Sequence, residues 1–181
     1  MMSPIRFHAS VASVILVLAV PAVLHAQSAG DATGSTRWSL ARVRPLDHEA
    51  RKVMDRAAVA SPTIARMIAE LESTDLIVSV QTCPLPKLVN GDARVVAAAG
   101  NVRHVRIRLS VPRATSDLII VLGHELRHAL EFAAMPEIRG GESQTRAYRL
   151  MGAPQLREGW FETEAALEAG RIVARELKTK H

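Results

Sequence analysis

The period of the apolar positions changes several times along this chain, and each change marks an element. In residues 46–73, LDHEARKVMDRAAVASPTIARMIAELES, Val53, Ala57, Val59 and Ala60 precede Ser61-Pro62. Ile64, Met67, Ile68 and Leu71 follow, and both groups have helical spacing. Proline disfavours helix in the residue before it, so the stretch reads as two helices, or one helix broken at Pro62. Residues 75–82, DLIVSVQT, are β-branched and alternate as a strand does. PLPKLVNGD at 84–92 has the turn chemistry of a loop. ARVVAAA and VRHVRIRLSV, joined by Gly100-Asn101, then predict a β-hairpin. In its second arm Arg103, Val105, Ile107 and Leu109 share one face, with His104, Arg106 and Arg108 on the other. That alternation fits a half-buried antiparallel sheet.

After Pro112 the segment ATSDLIIVLGHELRHALEFAAM carries the strongest helical pattern in the sequence. Thr115 or Ser116 can cap it, Asp117 suits the positive end of the helix dipole, and Pro136 ends it. Residues 142–151 form a shorter helical pattern, interrupted by Gly152 and Pro154. WFETEAALEAGRIVAREL, residues 160–177, reads as the last helix. Helices, then a small antiparallel sheet, then helices indicate an α+β fold.

Residues 1–26 change the picture of where this chain works. Arg6, the apolar run ASVASVILVLAV, Pro21 and the ending AVLHA have the layout of a secretory leader, with cleavage expected after Ala26. The apolar run is shorter than the roughly 20 residues needed to span a bilayer. An exported protein, periplasmic or secreted, with no membrane association after cleavage is the expectation. Residues 27–36, QSAGDATGST, are small and polar and read as a flexible lead-in to one domain at 37–181.

Charge and composition narrow the partners. The chain has 23 Lys and Arg against 18 Asp and Glu, a net +5, which falls by one when Arg6 leaves with the leader. The arginines are scattered, and three Phe, two Trp and one Tyr offer little for base stacking, so nucleic acid is not an expected partner. Cys83 is the single cysteine, so stability must come from core packing rather than disulfides.

The candidate chemistry lies in VLGHELRHALEF, residues 121–132, which contains His124-Glu125-Leu126-Arg127-His128, or H-E-x-x-H. Residues four apart on a helix share a face, so His124 and His128 can direct imidazole nitrogens at one Zn²⁺. Glu125 is rotated away from ligation and falls where a carboxylate can take a proton from water. Two histidines on so apolar a helix would be costly to bury without partners, and a metal is such a partner.

A catalytic zinc needs a third protein ligand. No histidine follows His128 until His181, and ALEFAAMPEI lacks the Gly and His of a metzincin continuation. Glu131, three residues on, shares a similar face but is better placed as a supporting acid or an exposed residue, because three turns of one helix cannot readily surround a tetrahedral ion. A carboxylate from the last helix, GWFETEAALEAGR, supplies the angular spread. H-E-x-x-H followed some 30 residues later by a Glu-bearing helix resembles the gluzincin metallopeptidases, the thermolysin-like class. FETEAA is also similar to the F-E-x-x-A-D stretch of the CAAX-prenyl-protease and HtpX-type membrane peptidases. The resemblance spans about residues 116–176 and implies a minimal zincin-like domain with Glu162 as the third zinc ligand. Glu164 is the main alternative and Glu158 a lesser one. The final Asp of that pattern falls on Ala166, a departure that leaves its support of a ligating histidine to Glu131 or another residue.

The expected activity is therefore zinc-dependent hydrolysis of peptide bonds, with Glu125 as general base and a peptide or protein as substrate. Strand 102–110, leading into the metal helix, is the expected edge for pairing with an extended substrate, its His104, Arg106 and Arg108 favouring acidic peptides. Tyr148 and His104 are the candidates for an oxyanion-stabilising side chain, with neither assignable. The rival reading is a degenerate zincin that binds zinc or protein without cleaving.

Overall fold

Asp47 starts the first helix and ties it to the sheet. Its Oδ1 accepts the Ala50 amide at 2.8 Å, as an N-cap does, and its Oδ2 accepts the Thr82 amide at 2.7 Å. Burial pushes its pKa up, but those two amides and the Thr82 hydroxyl outweigh burial and hold it below the ordinary Asp value. The structure, a computed structural model, describes residues 41–157 and 159–179, so the expected leader and lead-in lie outside the described residues. The described elements are β1 (Val43–Pro45), α1 (His48–Ala60), α2 (Pro62–Leu71), β2 (Leu76–Cys83), β3 (Gly91–Ala99) and β4 (Val102–Ser110). They continue with α3 (Thr115–Ala134), α4 (Gly141–Leu150), β5 (Gln155–Arg157), β6 (Trp160–Phe161) and α5 (Glu164–Lys178). None of these helices is long and apolar enough to cross a membrane.

Pro62 divides the first helical stretch as its chemistry requires. Ser61 leaves helical geometry, caps α2 through the Ile64 amide at 3.1 Å, and its hydroxyl is bound by Glu176 of α5. The α+β class holds, but the sheet is mixed rather than antiparallel. Its order is β1-β2-β4-β3, with β1, β2 and β4 parallel and only β3 antiparallel to β4. Alternation along β4 reports that one face is buried and says nothing about the direction of its neighbours. The hairpin at Gly100-Asn101 is present, yet its first arm swings to the outside and leaves β4 beside β2.

One face of the sheet carries the core. Val78, Val80, Val105, Ile107 and Leu109 are buried with Leu118, Leu122, Leu126 and Phe132 of α3. Arg103 stands on that apolar face with 1% exposure. It forms a two-bonded pair with Asp75, at 2.6 and 2.8 Å, and donates to the carbonyls of Phe132, Met135 and Ile138 at 2.7–3.1 Å. The end of a helix leaves carbonyl acceptors under-used, and this guanidinium adds a donor to those of Phe132 and Met135, which also accept the Met135 and Ile138 amides. At its other end α3 has Ala114 as its N-cap residue and no side-chain cap, so neither Thr115 nor Ser116 plays that role.

The last helix starts later than its pattern suggests. Thr163 caps α5 through the Ala166 amide at 3.1 Å, so Trp160 to Glu162 precede the helix. α3 and α5 pack closely at Gly123, where a Cβ would lie 2.6 Å from Val173 Cγ2.

Candidate metal centre

His124, Glu125 and His128 each bring one donor atom to within 4.8 Å of the others, a group that can hold a metal ion. All three follow from the helical register of α3. Glu162 reaches the same place from the extended segment before α5. Its Oε1 lies 3.3 Å from His124 Nε2 and 3.7 Å from His128 Nε2. Two anchors hold Glu162 there. Phe161 stacks on Tyr148 with ring centroids 5.4 Å apart, and the Thr163 hydroxyl donates to Glu131 at 2.7 Å. The Thr163 amide also donates to Glu162 Oε1 at 3.0 Å, fixing the carboxylate.

Glu131 is buried and organises the far side of His128. His128 Nδ1 lies 2.9 Å from Glu131 Oε2, and the Tyr148 hydroxyl donates to the same oxygen at 2.9 Å. A carboxylate on Nδ1 holds a proton there and turns Nε2 toward the donor cluster. Burial works against a charge on His128, yet the carboxylates of Glu131 and Glu162 prevail and push its pKa up to about 10. Burial and the neighbouring His128 charge instead lower His124, whose ring also hydrogen-bonds the backbone of Ala166. The two acids are opposed by burial too, but His128 and the Thr163 and Tyr148 hydroxyls hold Glu131 below the ordinary value, and the histidines do so for Glu162. Carboxylate oxygen and two imidazole nitrogens converge on one point, where a bound cation would take the place of the proton they hold on His128.

Glu125 differs from the other two acids. It is 4% exposed, and burial raises its pKa to about 8, with Asp92 and Glu162 adding to the rise and His128 opposing it. It lies against the start of β3: a Cβ built on Gly91 would stand 2.8 Å from Glu125 Oε1 and 2.6 Å from Val121 Cγ1. Gly91 is needed there because no side chain fits between the strand and the acid.

The cluster opens into a cleft of about 490 Å³, walled by β3, α3, β6 and α5. In comparison with known proteins, no family model, no curated protein and no solved structure matches this chain. The site therefore has to be read from its own geometry.

The structure separates the other candidate residues. Glu164 is exposed and bound to Arg171 at 2.7 Å, away from the cluster, and Glu158 lies outside the described residues. β4 has a strand on either side, so it offers no free edge and does not line the cleft; the sheet edge that borders the cleft is β3. Arg108 is bound to Asp92 by two contacts, at 2.7 and 2.6 Å, and His104 is not a wall of the cleft. Tyr148 is buried behind His128 with its hydroxyl committed to Glu131. No local pattern in the sequence places Tyr148 behind His128 or marks Gly91 as part of a site. The Thr before an apolar helical run is the one available signal, since it marks an N-cap and so puts Glu162 outside the helix.

Removing the acid behind His128 should weaken the site without touching it. Glu131→Gln is expected to lower metal affinity by about 10–100-fold, read by competition with a chelating dye. An affinity unchanged from wild type would show that Glu131 does not orient the imidazole.

Proposed function

We propose that this chain is a zinc-dependent peptidase of minimal zincin-like fold, with His124, His128 and Glu162 as ligands and Glu125 as general base. The observation that carries it is the position of Glu162. Two ligand atoms at about 2.0–2.1 Å on a tetrahedral ion lie about 3.3–3.4 Å apart, close to the 3.3 and 3.7 Å seen between Glu162 Oε1 and the two Nε2 atoms. Two imidazoles and one carboxylate, with a fourth direction open to a cleft, are the donor set of a hydrolytic zinc site. Bound there, the metal would polarise the scissile carbonyl and acidify water.

The protein's own groups supply the remainder. Glu125 is not needed for a purely structural site, and its carboxylate sits beside the donor cluster at the mouth of β3. It takes the proton from the attacking water and delivers it to the leaving amine. Glu131 holds the proton on His128 Nδ1. The outward amide groups of β3 orient an extended peptide along the cleft, in the strand-addition mode expected of the sheet but from the outer arm of the hairpin. The leader, if cleaved after Ala26, makes this an exported enzyme.

Elemental analysis and a peptide-library digest test the reading together. One zinc per chain and cleavage of library peptides are expected; less than about half an equivalent of zinc after loading would defeat it. Glu162 and Glu125 separate by the same metal measurement, since Glu162→Gln should lose zinc and Glu125→Gln should keep it.

Gly91 gives an independent check on the geometry. Gly91→Ala pushes a methyl into Glu125 and Val121, so turnover should fall by about 10–100-fold with zinc content unchanged. Steady-state kinetics at wild-type turnover would mean that Glu125 is not where the chemistry needs it.

A further inference from the structure

The free edge of β3 is only partly free. The Ser110 amide donates to the Asn90 carbonyl at 2.8 Å, and in an antiparallel ladder bonded and outward residues alternate. Asn90, Asp92 and Arg94 therefore turn their amide groups to β4, while Gly91, Ala93 and Val95 turn theirs outward. Gln144 of α4, itself buried, takes two of these outward groups. Its Oε1 accepts the Val95 amide at 3.2 Å, and its Nε2 donates to the Ala93 carbonyl at 3.4 Å. The side-chain amide does the work of one residue of an added strand. A peptide lying along β3 from Glu125 can use both amide groups of Gly91 and the Ala93 N–H, and is then stopped.

Past that stop lies a second cavity, of about 760 Å³. It shares Arg94, Gln144 and Gly159 with the metal cleft and adds Arg146 and Arg149 from α4, against one acid, Glu142. Arg94 rests over the Trp160 ring, 4.7 Å from its centroid, and bonds to Asp92 at 3.0 Å. Asp92 is already held by Arg108, so one carboxylate serves two guanidiniums. Arg146 and Arg149 have no ion-pair partner among the described residues.

We propose that this arginine-lined cavity binds a carboxylate of the substrate, so that cleavage is directed to a bond a short, fixed distance from a negative charge. The proposal rests on the peptidase reading of the cleft. It joins two independent observations: an edge that ends at Gln144, and a cationic cavity immediately beyond. The carboxylate can be a free C-terminus or an acidic side chain, and both present the planar acceptor that guanidinium groups recognise.

The test is peptide binding by the zinc-loaded Glu125→Gln chain, followed by fluorescence anisotropy, with cleavage by the wild-type chain measured on the same peptides. Each N-terminally labelled peptide is made with a free or an amidated C-terminus, and with an internal Asp or Asn. A preference of about tenfold or more for one carboxylate-bearing form is expected, falling to within about twofold in Arg146→Ala/Arg149→Ala. A free-acid preference identifies the terminus, and an Asp preference the side chain. The Arg146→Lys/Arg149→Lys pair should keep part of the preference, separating lost charge from lost folding. Equal affinity for all four peptides, a preference that survives the alanine pair, or no saturable binding overturns the proposal. A wild-type chain that keeps the preference but neither holds zinc nor cleaves would support the carboxylate site and defeat the peptidase reading alone.

Discussion

Glu125→Gln is expected to abolish peptide hydrolysis while leaving the metal in place. Glutamine keeps the shape of glutamate, so the contact with Gly91 and the packing around a side chain only 4% exposed are preserved. The change removes the ability to accept a proton. General-base catalysis contributes about 10²–10⁴-fold, and turnover should fall by that factor or more. Zinc affinity should stay near wild type, because Glu162 approaches both Nε2 atoms from another segment and Glu125 is displaced along the helix. Kinetics with parallel metal analysis read both quantities. A variant that cleaves at the wild-type rate would remove Glu125 from the chemistry. A variant that loses its zinc as Glu162→Gln does would make Glu125 a ligand instead. Equal inactivity of both proteins, with zinc bound in each, would favour the rival reading of a zinc-binding module without catalysis.

The second large effect is structural. Arg103→Met should destabilise the fold by about 3 kcal/mol, seen as a lower midpoint in urea unfolding. Methionine fills similar space on the apolar face but cannot donate. The carbonyls of Phe132 and Met135 would keep only the backbone amides of Met135 and Ile138, that of Ile138 would lose the guanidinium, and Asp75 would lose its counter-charge. A buried group that loses its donor or counter-charge costs more than the bond itself contributes. The side chain of Asp75 is 38% exposed and regains water, which keeps the loss at the lower end of the range for buried pairs. A midpoint within error of wild type would mean that water satisfies those carbonyls as well as the guanidinium does. The consequence for the site is direct, because the turn that Arg103 closes follows the one bearing His128 and Glu131.

Arg103 also shows where pattern reading stops. The alternation in VRHVRIRLS places it correctly beside Val105, Ile107 and Leu109, on the face that the core covers. It cannot tell that a charged residue there will reach the end of α3, since that end arrives from 29 residues further along the chain. Glu162 carries the same lesson at the site. FETEAA reads as helix, and the helix begins two residues after Glu162, because the Thr163 cap and the Phe161–Tyr148 stack set the local path. Gly91 reads as part of a turn-rich loop and is the first residue of the edge strand.

The sequence by itself determined what is local. The four-residue spacing of His124 and His128 becomes a shared helical face, the break at Ser61-Pro62 becomes a cap, and Gly100-Asn101 becomes a tight turn, because each depends on a few consecutive residues. Only the tertiary structure decided that Glu162 meets both histidines, that Tyr148 and Thr163 converge on Glu131 from 17 and 32 residues away, and that β3 rather than β4 is the open edge. Those outcomes follow from which apolar faces pack together across the chain. Hydrophobic period states that a face is buried and leaves unsaid against what.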